Sequence, residues 1–249
     1  MKINQRINFK WLGISLTLWI LAGACEKPSI SYMQPGSTNP DPDSSSSPTE
    51  TNPSLYLALG DSYTIGQSVD SAQRYPAQTA ALLNNNGFQF SGINYIAQTG
   101  WTTANLQAAI DSKNPQGPFT AVTLLIGVND QYQQQDTTGY RVRFARLLNS
   151  AIALAGNNRQ HVFVLSIPDY GVTPFGLNYP NVSGQIDAFN TINKAVTEAY
   201  HIAYIDITAI SRNDAGDNTM LSPDGLHPSG KQYAQWAAAL APVMEKALK

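Results

Sequence analysis

Four short blocks of this 249-residue chain carry side chains that can do chemistry: Gly60-Asp61-Ser62, the isolated Gly100, Gly127-Val128-Asn129-Asp130, and Asp224-Gly225-Leu226-His227. Serine, histidine and aspartate together are the residue types of acyl transfer. A serine hydroxyl attacks poorly until a base takes its proton, and imidazole suits that task at neutral pH. A carboxylate on the second ring nitrogen fixes the tautomer, and preplaced amide donors meet the oxyanion of a tetrahedral intermediate. Singly, each block also reads as ordinary structure. Ser62 can cap a helix, Gly100 and Asn129-Asp130 can form turns, and Asp224-Gly225 is itself a turn signal.

The elements that must position these blocks are legible as alternating apolar runs and helical patterns. Strands are predicted at 55–60, 93–97, 121–127, 161–167 and 203–207, and helices at 76–85, 103–110, 139–154, 183–200 and from 228 to the end. Pro76 and Pro228 each suit a first helical turn, where a missing N–H costs nothing. Continuous apolar strands separated by helices predict an α/β fold: a three-layer α/β/α sandwich around a mainly five-stranded parallel sheet. Ligands in such a sheet bind beyond the carboxyl ends of the strands. Three of the four blocks fall there, and the fourth precedes the last helix.

These blocks resemble the SGNH (GDSL-type) hydrolase family, whose motifs occur in the same order, and the resemblance covers essentially all of 54–249. It implies a flavodoxin-like SGNH hydrolase fold and a carboxylic ester hydrolase. Carried over residue by residue, it makes Ser62 the nucleophile, His227 the base and Asp224 the group that orients the imidazole. It places the Ser62 and Gly100 backbone N–H groups and the Asn129 side-chain amide in the oxyanion hole. Asp61 and Asp130 are expected to brace the neighbouring loops. Trp101, Tyr132, Tyr170 and Phe175 follow strand ends and are candidates for the substrate cleft, against an equal reading as loop packing. The substrate is expected to be a glycan or lipid ester: short acyl groups on glycans, or lysophospholipid-type esters. Two other readings stay open, an acyltransferase on the same fold and a catalytically silent glycan-binding surface module.

Composition narrows the alternatives. With 15 Lys+Arg against 17 Asp+Glu, the chain has no basic surplus to hold nucleic acid. A single cysteine leaves no intramolecular disulfide and no Cys-rich metal site. Neither HExxH nor G-x-G-x-x-G occurs, so no metal and no cofactor is implied, and the G-x-S-x-G elbow of α/β-hydrolases is missing too. His161, His201, Arg141, Arg143 and Arg146 read as surface or packing residues.

The N-terminus reads as an address. Lys2, Arg6 and Lys10 precede fourteen uncharged residues, 11–24, which is the pattern of a signal peptide and too short for a membrane span. The run ends Leu21-Ala22-Gly23-Ala24-Cys25, which resembles a bacterial lipobox with Cys25 as the lipidation site, although Ala22-Gly23-Ala24 also fits ordinary signal peptidase. Residues 28–53 hold six prolines and seven serines with no Lys or Arg, a composition expected to stay disordered as a spacer. The expected organisation is a signal peptide at 1–24, a lipidation site and spacer at 25–53, and one hydrolase domain at 54–249. The expected location is extracytoplasmic, membrane-anchored or freely secreted, and the expected state is a monomer.

Overall fold

The computed structural model describes residues 54–134 and 136–249. The signal peptide, Cys25 and the spacer lie outside the described residues. Five parallel strands, β1 (Ser54–Gly60), β2 (Phe90–Ala97), β3 (Ala121–Leu125), β4 (Val162–Leu165) and β5 (Ala203–Ile205), form one sheet in the order β2-β1-β3-β4-β5. Eight α-helices intervene: α1 (Ser62–Ile65), α2 (Tyr75–Asn85), α3 (Thr103–Lys113), α4 (Val128–Tyr132), α5 (Thr137–Leu154), α6 (Val182–Ala199), α7 (Thr208–Asn213) and α8 (Gly230–Leu248).

The strands form where the chain is apolar on both sides, because helices cover both faces. β3 and β4 are buried along their whole length. β2 is the exception. It lies at the edge, exposes Ser91, Gly92 and Asn94, and begins three residues earlier than the apolar pattern predicts, since buried Phe90 already pairs with Ser54 ahead of the exposed Ser91 and Gly92. α2 and α8 pack against each other, while α5 packs between α3 and α6. An aromatic cluster joins α1, α2 and α8: Trp236 lies 6.2 Å from Tyr63, 6.1 Å from Tyr75 and 5.0 Å from Tyr233, ring centre to ring centre.

Two expectations are corrected. Pro228 is not in the helix: α8 starts at Gly230 with Ser229 as its cap, and Pro228 instead pairs with Leu221 in an antiparallel bridge. His161 precedes β4 in a short 3-10 turn rather than starting the strand.

Register fixes the site. Gly60 is level with Ala97 of β2 and with Leu125 of β3, so the chain leaves these three strands side by side. The order 2-1-3-4-5 reverses direction beside β1, which is where ligands bind in sheets of this topology.

Candidate active site

Ser62 is the first residue of α1, directly beyond β1, and helix geometry leaves the first amides of a helix without internal partners. The residue is buried at 5% exposure, and its Oγ lies 2.9 Å from His227 Nε2. His227 Nδ1 in turn lies 2.9 Å from Asp224 Oδ2. The two oxygens of Asp224 have different partners. Oδ1 accepts the backbone N–H groups of Leu226 and His227, each at 2.9 Å, while Oδ2 faces the imidazole. The Asp-x-x-His spacing works because this turn folds the carboxylate back onto the histidine three residues on. Further bonds close the loop, from Ser222 N–H to the His227 carbonyl at 2.7 Å and from Ser222 Oγ to the Pro228 carbonyl at 2.8 Å.

Partial burial alone would push the Asp224 carboxyl up. The hydrogen bonds from His227, Ser68 and Leu226 outweigh it and hold the group down at about 2. Asp224 is therefore ionised at neutral pH, so Nδ1 carries the ring proton and Nε2 is free to accept from the Ser62 hydroxyl. The Tyr63 ring, 5.3 Å from the imidazole, packs against His227 from α1.

Gly100 and Asn129 come from the loops after β2 and β3. Gly100 has φ +82°, and a Cβ there would meet open space, so backbone conformation rather than crowding calls for glycine. Gly127 is required on both counts. Its φ is +126°, and a Cβ would overlap the Tyr140 hydroxyl. Asn129 Nδ2 donates to the Trp101 carbonyl at 3.0 Å, which uses one amide hydrogen and fixes the direction of the other.

Asp130 braces its loop by anchoring it to a neighbouring helix. It reaches across to α3, where Oδ2 accepts the Thr103 N–H at 2.8 Å and Oδ1 the Thr103 hydroxyl at 2.6 Å. Arg143 belongs to the same network and not to a solvated face, lying 3.4 Å from Asp130 and donating to Thr103 Oγ1 at 3.1 Å. Burial pushes the Asp130 carboxyl up, opposed by the Thr103 hydrogen bonds and the Arg143 charge. The loops bearing Gly100 and Asn129 are thus tied into one unit. Asp61 caps α1, its Oδ1 accepting the Tyr63 N–H at 3.0 Å.

These groups open on a cavity of about 180 Å³ lined by Ser62, Gly100, Asn129 and His227 together with Tyr63, Thr99, Val128, Tyr132, Tyr170, Phe175 and Leu226. Trp101 is not among the lining residues; its ring packs on the core and its carbonyl holds Asn129. Tyr132, Tyr170 and Phe175 form one wall with Tyr179, their ring centres 5.2–6.4 Å apart along successive pairs. Sequence reasoning missed Tyr63, Thr99, Val128, Leu226 and, in the wall, Tyr179. Leu226 could have been found, since it lies inside the Asp-x-x-His block.

Among the described residues, no group of three or more His, Cys, Asp and Glu side chains is placed to hold a metal ion, and no helix is long and apolar enough to cross a membrane.

Many solved structures share this fold. The lipase Lip_vut3 from a goat rumen metagenome superposes with a TM-score of 0.63 at 18% identity, covering 79% of this chain and 100% of that one. The lipase/acylhydrolase from Enterococcus faecalis gives 0.60 at 20% identity, covering 79% and 97%. Phospholipase A1 from Streptomyces albidoflavus NA297 gives 0.57 at 20% identity, covering 79% and 100%. No curated protein sequence is significantly similar to the chain. The profile of the GDSL-like lipase/acylhydrolase family matches residues 58–235, which takes in all four blocks. With an SGNH hydrolase fold and that match over most of its length, the chain belongs to the GDSL-like lipase/acylhydrolase family and is an ester hydrolase.

Proposed function

We propose that the protein hydrolyses neutral carboxylic esters through an acyl-enzyme on Ser62. The observation that carries this reading is the unbroken chain from Ser62 Oγ through His227 to Asp224, 2.9 Å at each link, beside Gly100 and Asn129. Ser62 Oγ attacks the ester carbonyl carbon as His227 Nε2 takes its proton, and Asp224 stabilises the imidazolium. The oxyanion is met by the Ser62 and Gly100 N–H groups and the second Asn129 amide hydrogen. Collapse breaks the bond to the alcohol oxygen, which leaves with the proton from His227. Water then attacks the acyl-enzyme, giving up a proton to His227 that returns to Ser62 Oγ as the acid departs.

The cavity favours a small or flat uncharged group. Among the described residues, no Lys, Arg, Asp or Glu lines it, and the rings of Tyr63, Tyr132, Tyr170 and Phe175 do. Short acyl esters of neutral glycans fit this lining better than lysophospholipid-type esters, whose phosphate has no cation to meet in the cavity.

A panel of p-nitrophenyl esters of increasing acyl length, crossed with acetylated oligosaccharides and lysophospholipids, tests the reading together with an organophosphonate label. Turnover of short esters and a label on Ser62, both absent in Ser62→Ala, is the expected result. No turnover and no label would overturn it. Glycan binding that survives Ser62→Ala without hydrolysis would assign a binding module, and preferential transfer to an added alcohol would assign an acyltransferase.

We also propose that the protein works outside the cytoplasm as a monomer, held to a membrane by lipid on Cys25 through the 25–53 spacer. Its support is the order of basic start, apolar run, lone cysteine and Pro/Ser-rich stretch. Palmitate incorporation that disappears in Cys25→Ala is the expected result. Incorporation unchanged by that substitution, or none in the parent, would refute the anchor.

A further inference from the structure

We infer that Ser68 is a positioning residue of this active site, holding the Asp224 carboxylate in register with His227; the inference rests on the esterase reading above. Ser68 Oγ donates to Asp224 Oδ2 at 2.7 Å, the same oxygen that faces His227 Nδ1 at 2.9 Å. The other carboxylate oxygen is held only by the N–H groups of its own turn. Among the described residues, Ser68 is thus the one group from outside residues 224–227 that hydrogen-bonds this carboxylate.

The backbone supports the assignment. Ser68 sits at φ +67°, a left-handed conformation that side chains other than Gly, Asn and Asp rarely adopt. A glycine would occupy it without strain, but glycine carries no hydroxyl. Strain of this kind persists where the side chain has a task, and here the side chain reaches the catalytic carboxylate. The preceding residue reaches the opposite side of the site. Gln67 Oε1 accepts from Thr99 Oγ1 at 2.7 Å, next to Gly100. One turn after α1 therefore fastens both the loop after β2 and the loop that carries Asp224 and His227.

A donor on Oδ2 does two things. It stops the carboxylate rotating away from the imidazole plane, and it shares the negative charge that would otherwise act on His227 alone. The groups that face the imidazole are Asp224 on its own loop and Ser62 and Tyr63 from α1. Without the Ser68 hydroxyl, Asp224 binds the protonated imidazole more tightly but less accurately. The base is then withdrawn at higher pH, and proton transfer from Ser62 slows.

Ser68→Gly and Ser68→Ala separate this role from a structural one, since both delete the hydroxyl but only glycine accepts the backbone. Full pH profiles of kcat and kcat/KM are measured on a substrate the parent turns over, alongside thermal unfolding. The expected result is a kcat lower by about three- to tenfold in both variants, with little change in KM and the acid limb of kcat/KM moved to higher pH. Ser68→Ala should unfold at a lower temperature than Ser68→Gly while matching it in kcat. Unchanged kcat and an unmoved limb in Ser68→Gly, or losses that follow stability from one variant to the other, would overturn the inference. An inactive, unlabelled parent would instead remove the esterase reading itself.

Discussion

Asp61 is completely buried, its Oδ1 on the Tyr63 N–H and its Oδ2 without a hydrogen-bond partner among the described residues, and burial pushes its carboxyl from 3.8 up to about 8. The fold therefore keeps a proton that the unfolded chain releases above 3.8. Because the folded value is raised for an acid, this group favours unfolding increasingly as pH rises from 3.8 to about 8. At pH 7 the interval is a little over three pH units, which at about 1.4 kcal/mol each gives about 4 kcal/mol, and local relaxation around the carboxyl lowers it. Asp61→Asn keeps the shape and the acceptor for Tyr63, and it cannot ionise. It should be more stable than the parent by about 2–4 kcal/mol at pH 7, raising Tm by about 5–15 °C, with the gain vanishing near pH 3. Urea unfolding of both proteins at acidic, neutral and alkaline pH isolates the effect, because all other carboxylates are common to the pair. Activity follows the same group. Once ionised, Asp61 places a negative charge next to the Ser62 amide that the proposed mechanism aims at the oxyanion, so parent kcat should decline above pH about 8 while the asparagine variant keeps its plateau. A stability difference independent of pH, or a less stable Asp61→Asn, would refute the reasoning.

Three further outcomes are expected. Asn129→Ala should lower kcat by roughly 10²–10³-fold with little change in KM, and a near-normal kcat would take Asn129 out of the oxyanion hole. Thr103→Val removes the hydroxyl that Asp130 accepts at 2.6 Å, loosening the tie between the Gly100 and Asn129 loops. Steady-state kinetics should show kcat down by about tenfold on every ester tested, whatever its acyl chain. Phe175→Ala cuts into the aromatic wall and should act in the opposite manner, raising KM by about fivefold for aryl esters while leaving acetyl esters nearly unchanged. Equal effects on both ester classes would show that the wall does not contact the substrate.

The sheet and the four blocks were legible because their signals are local. Apolar runs mark β1, β3 and β4, and three of the four blocks lie just after β1, β2 and β3. What escaped depends on contacts between distant segments. Ser68 gives no sign in the sequence that it will meet Asp224, 156 positions away. Arg143 reads as surface by its spacing, yet it turns inward because Asp130 and Thr103 form an acceptor cluster beneath it. Trp101 suggested a ring in the cleft, whereas its backbone carbonyl is the part that faces Asn129. α1 and α4 span only four and five residues, too short for helical periodicity to register.

Ser62 and His227 stand 165 positions apart, at opposite ends of the described domain. β1, which delivers Ser62, is flanked by β2 and β3, and His227 is delivered only once the segment before α8 has closed against α1. Under the proposed mechanism, a chain still being synthesised therefore carries its nucleophile early and acquires its base late. On that mechanism, hydrolysis begins only when the 222–228 turn is in place beside α1. A cut between Asp214 and Ser222 leaves every strand uncut yet severs the chain between Ser62 and the turn that carries Asp224 and His227.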